Sequence, residues 1–196
     1  MRKPGSLSDL AESLRLDAEG YASGAKRIFS PNCDDRPEGA SIDLLIIHNI
    51  SLPPGEFGGP DVAALFTNSL NPARHPYYQT IQDLRVSAHF FVRRDGELIQ
   101  FVSCLKRAWH AGLSNWRGRE RCNDFSIGIE LEGTDDLPFT DHQYDTLGRV
   151  TLGLISSYPI KDVVGHSDVS PGRKTDPGNS FDWARYRALY SYISDS

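Results

Sequence analysis

Cysteine is scarce in this sequence, and long apolar runs are missing from it. Cys33, Cys104 and Cys122 form an odd number without CxxC spacing, which predicts free thiols in a reducing compartment rather than disulfides or thiolate metal ligands. No segment approaches the roughly 20 apolar residues that cross a bilayer. No apolar stretch follows Arg2 and Lys3 as it would in a signal peptide. We therefore expect a soluble, cytoplasmic protein without a membrane partner.

An excess of positive charge is missing as well. The 21 Lys and Arg are outnumbered by 26 Asp and Glu, which gives a net charge of -5 and a pI near 5.6. Nucleic-acid binding needs clustered cations that release counterions, so we expect no nucleic-acid partner and interpret Arg117, Arg119 and Arg121 as solvated turn residues. With 196 residues, 39% of them hydrophobic, the chain can bury one sizeable core. We expect one globular domain and a monomer.

Strand and helix signals alternate beyond residue 41. Apolar runs at 86–92 and 98–102 flank Asp95-Gly96, a pair typical of a β-hairpin turn, and 126–131 is a further strand. Thr140 and Gln143 form a capping box ahead of apolar residues at helical spacing, and an amphipathic pattern follows Asp182. These elements predict an α/β (α+β) fold with a mixed central β-sheet flanked by helices.

The first 27 residues differ from the rest in pattern. Leu7, Leu10 and Leu14 have helical spacing, but Gly20 and Gly24 interrupt it. We expect residues 1–27 to be an N-terminal extension, either a short helix or disordered, ahead of the folded domain at residues 28–196.

Three side chains, His48, His166 and Asp176, could together hold a metal ion. Each histidine follows a short apolar run, 42–47 and 163–164, and such runs read as buried strands. Two neighbouring strands would bring both imidazoles to one sheet edge, with Asp176 on an adjoining loop. Zinc accepts imidazole nitrogen and carboxylate oxygen, and three protein ligands leave an open position for catalysis. A single histidine is more often a packed or surface residue, so the prediction depends on the joint pattern.

Amide hydrolysis at such a metal also needs a proton shuttle. Alternation along strand 126–131 places Gly128, Glu130 and Glu132 on one face. Either glutamate could carry the proton, and the alternative is that both face solvent on an edge strand. Lys174 lies two residues before Asp176 and could stabilise an oxyanion, although a loop lysine is usually a surface residue.

Other residues are expected around this site. The Pro- and Gly-rich segment 51–59 follows His48 and should form its rim. We interpret His89 as a hydrogen-bonded core or supporting residue and His110 as a wall of the site rather than a ligand. His75 and His142 are expected in a loop and on a helix surface.

Four stretches carry a resemblance to a known family: 48–55, 108–112, 123–133 and 173–178. In this order they resemble the cytoplasmic 1,6-anhydro-N-acetylmuramyl-L-alanine amidases of the AmpD type, over about residues 28–190. The resemblance implies the fold of N-acetylmuramoyl-L-alanine amidases, which phage amidases and peptidoglycan recognition proteins share. It also implies zinc held by His48, His166 and Asp176. By the same resemblance Glu130 is catalytic and Lys174 assists it, which decides between the two glutamates.

The implied reaction is hydrolysis of the amide between the lactyl group of anhydromuramic acid and L-alanine, for peptidoglycan recycling and control of β-lactamase induction. The resemblance places Trp109 against the sugar, and Arg85 and Arg173 could bind carboxylates of the stem peptide. The partner would be a small-molecule anhydromuropeptide. Three alternatives remain: a noncatalytic muropeptide-binding module, an unrelated protein with structural zinc, and an amidase secreted to act on intact cell wall.

Overall fold

β-branched and leucine-rich runs form the strands of this protein, whose computed structural model describes residues 14–190. The two longest strands are the apolar runs LLIIHNI and SIGIELE. In chain order the strands are β1 Lys26–Arg27, β2 Cys33–Asp35, β3 Leu44–Ile50, β4 Phe90–Val92, β5 Leu98–Gln100, β6 Lys106–Ala108, β7 Asn115–Trp116, β8 Arg119–Glu120, β9 Ser126–Glu132 and β10 Asp162–Gly165.

Six of these strands form one mixed sheet in the order β1-β5-β4-β9-β3-β10. Only the β4–β5 hairpin is antiparallel within it, whereas the other four pairings are parallel. The pairs β2–β6 and β7–β8 form two small antiparallel sheets. The helices are α1 Asp61–Phe66, α2 Pro76–Ile81, α3 Asp141–Ser157, α4 His166–Val169 and α5 Trp183–Ala188, with 3-10 turns at Pro72–Arg74 and Cys122–Asp124. The predicted fold class, a mixed sheet flanked by helices, is confirmed.

The central strands bury both faces, as parallel strands usually do. One face of β3 and β9 packs against α3 and α5 in the largest core cluster, which includes Ile47, Ile129 and Leu147. The opposite face carries His48 and Glu130. Because β9 lies between β4 and β3, the interpretation of its glutamates as solvent-facing edge residues is wrong: Glu130 is 9% exposed and Glu132 is 3% exposed.

Local signals in the sequence predicted several elements well. The Thr140 hydroxyl accepts from the Gln143 amide at 3.2 Å, and Gln143 Oε1 accepts from the Thr140 amide at 3.1 Å, which completes the capping box of α3. Gly96 has a positive φ of 88° in the hairpin turn. The strand predicted at 86–92 is shorter and covers Phe90–Val92, because the Ser87 amide donates to Trp109 O, outside the six-stranded sheet.

The described part of the expected N-terminal extension, residues 14–27, contains no helix. Leu14 and Ala22 are buried in the main core, and the side chain of Gln100 accepts from the Ala22 amide at 2.7 Å. Lys26–Arg27 then adds β1 to the edge of the sheet. Leu7 and Leu10 lie outside the described residues, as does Ile193 of the expected C-terminal helix, and a domain boundary at residue 28 stays a prediction.

All three cysteines are free thiols, as predicted, with Cys104 and Cys122 buried. Within residues 14–190, no helix combines the length and apolar character needed to cross a membrane.

Candidate metal centre and active site

Strand register places the first two candidate ligands side by side. β3 lies between β9 and β10, with His48 paired to Glu130 on one side and Ile47 paired to Gly165 on the other. His166 follows Gly165 directly and begins α4. The expectation that the two histidine-bearing strands are neighbours is therefore confirmed by their parallel pairing.

A loop after α4 brings Asp176 to the histidines. Ser167 N donates to Asp176 O at 3.0 Å, and Gly178 N donates to Thr175 O at 3.0 Å, so backbone bonds fix the turn. Gly178 has φ 83° and lies against Asp135: a Cβ at this position would be 2.2 Å from Asp135 Cα. The loop therefore needs glycine here both for its backbone conformation and for close packing.

The three side chains meet in an almost equilateral triangle. His48 Nδ1 lies 3.0 Å from His166 Nδ1, and each of these nitrogens lies 3.0 Å from Asp176 Oδ2. A tetrahedral zinc ion with bonds near 2.0–2.1 Å separates its ligand atoms by about 3.3 Å. Two imidazole nitrogens and one carboxylate oxygen at this spacing fit a zinc site with one open position.

Both histidines present Nδ1 to the triangle, and each binds a protein atom through Nε2. His48 Nε2 lies 3.0 Å from His110 Nδ1, and His166 Nε2 lies 3.0 Å from the carbonyl oxygen of Ala111. Such contacts orient metal-binding imidazoles and fix their tautomers. His110, expected as a wall of the site, thus also touches a ligand.

The electrostatics favour the forms that bind a metal. Burial, reinforced by His166, lowers the pKa of His48 to about 4 and keeps this imidazole neutral. Burial disfavours ionisation of Asp176, but hydrogen bonds with His166 and His48 outweigh it and hold the pKa of this carboxyl well below its usual range. A neutral imidazole and an ionised carboxylate are the states that donate electron pairs to a metal ion.

Glu130 lines the same cavity, which has a volume of about 480 Å³. Burial, followed by the charge of Asp176, raises the pKa of Glu130 well above its usual range, and Lys174 opposes this shift. Its Oε2 atom is buried and has no hydrogen-bond partner among residues 14–190. A buried carboxyl group with a raised pKa and an unused oxygen is suited to proton transfer.

Glu132 has a different environment. Its oxygens accept from the backbone amides of Gly58 at 2.6 Å and Arg94 at 3.0 Å, and Arg93 Nη1 lies 3.8 Å away. These contacts tie the rim loop to β9. Glu132 is therefore structural, and the geometry favours Glu130 as the carboxyl group of the site.

Lys174 also lines the cavity, and its side chain is exposed to solvent. Glu130 and His48 line the same cavity, and the positive charge of Lys174 opposes the rise in the pKa of Glu130 and adds to the lowering of the pKa of His48.

Trp109, Arg85 and Arg173 do not line this cavity, although their neighbours Leu84, Val86, His110 and Lys174 do. Trp109 Nε1 donates to Asp34 at 3.1 Å, and Arg85 donates to the carbonyl oxygens of Gln82 and Leu84 at 3.1 and 3.0 Å. Arg173 donates to Ala111 O at 2.6 Å and to Leu113 O at 2.7 Å. Their roles in substrate binding stay predictions.

One wall of the cavity was not expected from the sequence. The segment after His48 contributes Ser51, Leu52, Pro54 and Gly55, as expected of a rim, but an apolar wall comes from α1 and α2 through Leu65, Phe66, Tyr77 and Ile81. Both helices have only six residues, too few for an amphipathic period to stand out. The proline at the start of α2 was the available signal.

Comparison with known proteins identifies the family of this chain. The family described as N-acetylmuramoyl-L-alanine amidase matches residues 38–179. The chain belongs to this family and is a hydrolase of that class.

Within the family the chain is of the AmpD type. It is 58% identical to the 1,6-anhydro-N-acetylmuramyl-L-alanine amidase AmpD of Escherichia coli K12 over 175 residues, which cover 88% of this chain and 96% of the relative. A crystal structure of a selenomethionine AmpD derivative matches with TM-score 0.87 and 60% identity, over 89% of this chain and 98% of that chain. The amidase fold implied by the sequence resemblance is thereby confirmed.

A second solved structure shows a relative with its ligand. The amidase AmiD of E. coli, in complex with the substrate anhydro-N-acetylmuramic acid-L-Ala-D-γ-Glu-L-Lys, matches with TM-score 0.57 and 28% identity, over 91% of this chain and 66% of that chain.

Proposed function

We propose that this protein is a zinc-dependent amidase that hydrolyses the amide between the lactyl group of 1,6-anhydro-N-acetylmuramic acid and L-alanine in anhydromuropeptides. The observation that carries the proposal is the triangle of His48, His166 and Asp176 in one cavity with the buried carboxyl group of Glu130. The names of the AmpD relatives and the muropeptide bound to AmiD support the choice of substrate.

His48, His166 and Asp176 would hold the metal through Nδ1, Nδ1 and a carboxylate oxygen. When bound, zinc polarises a carbonyl group and lowers the pKa of a coordinated water to about 7.

Glu130 performs the proton transfers. Its carboxylate takes a proton from the water that attacks the lactyl carbonyl, and the resulting carboxylic acid returns that proton to the nitrogen of L-alanine. The carbon–nitrogen bond breaks, and the peptide that begins with L-alanine leaves as an amine. The lactyl group keeps the new oxygen as a carboxylic acid, and transfer of its proton to the amine gives a carboxylate and an ammonium group. Burial raises the pKa of Glu130, which makes its carboxylate a stronger base for the first of these proton transfers.

Lys174 stabilises the negative charge that develops on the carbonyl oxygen. Its side chain lines the same cavity as the triangle and Glu130, where the substrate carbonyl would lie. Removal of one oxyanion-stabilising donor typically lowers kcat by about 10²- to 10³-fold.

The apolar wall formed by α1 and α2 would contact the anhydrosugar, and we assign Trp109 to the same end of the substrate. Arg85 is exposed, and among residues 14–190 its guanidinium donates only to local carbonyl oxygens, so it could bind a stem-peptide carboxylate. Arg173 would do the same only after giving up contacts to Ala111 and Leu113.

The cellular role follows from the substrate. We propose that the enzyme is a cytoplasmic monomer that recycles peptidoglycan fragments and so limits signals that induce β-lactamase. The three free thiols are consistent with a reducing compartment.

A noncatalytic muropeptide-binding module is the main rival. Mass spectrometry separates the two: an anhydromuramyl tripeptide is incubated with zinc-loaded protein, chelated protein and a zinc-loaded Glu130→Ala variant. The proposal expects separate sugar and peptide masses from the zinc-loaded protein alone. An intact substrate that still binds would support the module and contradict hydrolysis.

A further inference from the structure

Both ring nitrogens of His48 contact other side chains, but only Nδ1 faces the triangle. Nδ1 lies among the candidate ligands, whereas Nε2 lies 3.0 Å from His110 Nδ1. The two rings meet edge-on, with centroids 5.1 Å apart and planes at 88°. This geometry is that of a hydrogen bond that lies in the plane of each imidazole ring.

The tautomer that His48 needs for metal binding determines the direction of this hydrogen bond. A histidine that donates the Nδ1 electron pair to a metal ion carries its proton on Nε2. His48 Nε2–H therefore donates, and His110 Nδ1 must be bare in order to accept. The proton of His110 then lies on Nε2, where Ser126 Oγ is 3.3 Å away.

The structure holds the His110 ring firmly in this position. Gly128 lies against it: a Cβ on Gly128 would be 2.5 Å from both Cγ and Nδ1 of the ring. The backbone amides of His110 and Ala111 both donate to Asn123 Oδ1, at 3.2 and 2.8 Å. His110 is 9% exposed, so water does not compete freely for its nitrogen.

Ala111, the residue after His110, contacts the second histidine, because its carbonyl oxygen accepts from His166 Nε2. We propose that the 110–111 dipeptide, through the His110 side chain and the Ala111 carbonyl, orients both histidine ligands, and that His110 is a positioning residue that keeps Nδ1 of His48 available to the metal. This inference rests on the proposed zinc site, but it goes beyond the ligands and assigns a role to a fourth side chain.

A matched pair of variants tests the role of His110. Asn and Leu have the same number of side-chain heavy atoms and both branch at Cγ, but only His110→Asn keeps an acceptor, Oδ1, near the position of Nδ1. We expect His110→Leu to weaken zinc binding about 10- to 100-fold and His110→Asn to stay within about threefold of the original protein. The zinc dissociation constant is measured by competition with a chromophoric chelator, without substrate, so a failure of the proposed reaction leaves this result readable.

Equal affinity in all three proteins would overturn the proposal, and equal weakening in both variants would show a packing role instead. A second measurement needs no variant and covers the case in which His110→Leu does not fold. In the zinc-loaded unmodified protein, long-range ¹H–¹⁵N correlation spectra should show His48 protonated at Nε2 and bare at Nδ1, and His110 bare at Nδ1. The opposite tautomer of either ring would overturn the proposal.

Discussion

Glu130 and His48 are directly paired residues of two neighbouring parallel strands, β9 and β3. Paired residues of adjacent strands project their side chains to the same face of a sheet. The proposed proton-transfer group and one proposed metal ligand are thus held at a fixed separation by backbone hydrogen bonds between two buried strands. A shift of β9 by one residue would turn Glu130 into the α3 core, so the register itself is a condition for activity.

The first prediction separates the two glutamates of β9. Glu130→Gln should lower kcat by about 10²- to 10⁴-fold without lowering stability at pH 7, because it replaces a buried carboxyl that has an unpartnered oxygen. Glu132→Gln should instead cost about 1–3 kcal/mol of stability and leave the activity of the folded enzyme largely intact, because Glu132 holds the amides of Gly58 and Arg94. Urea unfolding measures the stability of each variant, and turnover of an anhydromuropeptide measures its activity. Equal loss of activity in the two variants would remove Glu130 from its assigned role.

The second prediction concerns the carboxylate ligand. Asp176→Ala should abolish stoichiometric zinc binding and hydrolysis, because two histidines alone leave the site short of one ligand. The control is Asp168→Ala: Asp168 accepts from the Gly165 amide at 2.7 Å and caps α4, so this change should cost about 1 kcal/mol and leave zinc bound. Elemental analysis after dialysis gives the stoichiometry. Retention of one zinc per chain by Asp176→Ala would contradict the ligand set.

The third prediction compares two glycines that both have positive φ. At Gly172, φ is 76° and no atom lies within 4 Å of an added Cβ, whereas at Gly178, φ is 83° and the Cβ would meet Asp135 Cα at 2.2 Å. Gly172→Ala should cost about 1–2 kcal/mol of backbone strain. Gly178→Ala should cost about 2–5 kcal/mol in total and also weaken zinc binding, because Asp176 lies on the same turn. Similar unfolding free energies and zinc affinities for the two variants would show that the contact with Asp135 is unimportant.

The fourth prediction concerns acid stability. Burial, and then the charge of Arg36, lowers the pKa of His89 to about 3 from an ordinary value of 6.5. The unfolded chain therefore binds a proton that the folded protein excludes between these pH values, so stability is complete above about pH 6.5 and falls as the pH decreases. Protonation of His89 lowers the free energy of unfolding by up to about 1.4 kcal/mol per pH unit in this range.

His89→Gln removes the titrating ring and keeps a donor for Lys106 O, which His89 Nε2 contacts at 3.0 Å. Unfolding free energies of the metal-free proteins at pH 7.5, 6 and 5 should fall less steeply for the variant. Parallel curves would show that another group causes the acid sensitivity.

Structural features that are encoded by a few neighbouring residues could be predicted from the sequence, whereas features set by strand pairing could not. The capping box at Thr140, the Asp95-Gly96 turn and the apolar runs before His48 and His166 are encoded within a few residues, and each formed as predicted. The pairing of Glu130 with His48 is set by which strands become neighbours, so spacing alone could not exclude an edge position for β9. The contact between His48 and His110, 62 positions apart, likewise depends on a fold that brings the segment after β6 against β3.

The order of folding events is constrained by where the three candidate ligands lie. His48 is 118 residues from His166 and 128 from Asp176, whereas His166 and Asp176 are only 10 apart. Pairing β3 with β10 closes a very long loop, and closures of this kind slow the folding of parallel sheets. A metal ion that needs all three side chains can bind fully only after β3 and β10 have paired. The rate of metal uptake during refolding would therefore report when β3 and β10 pair. Bound metal would then stabilise the folded sheet by mass action.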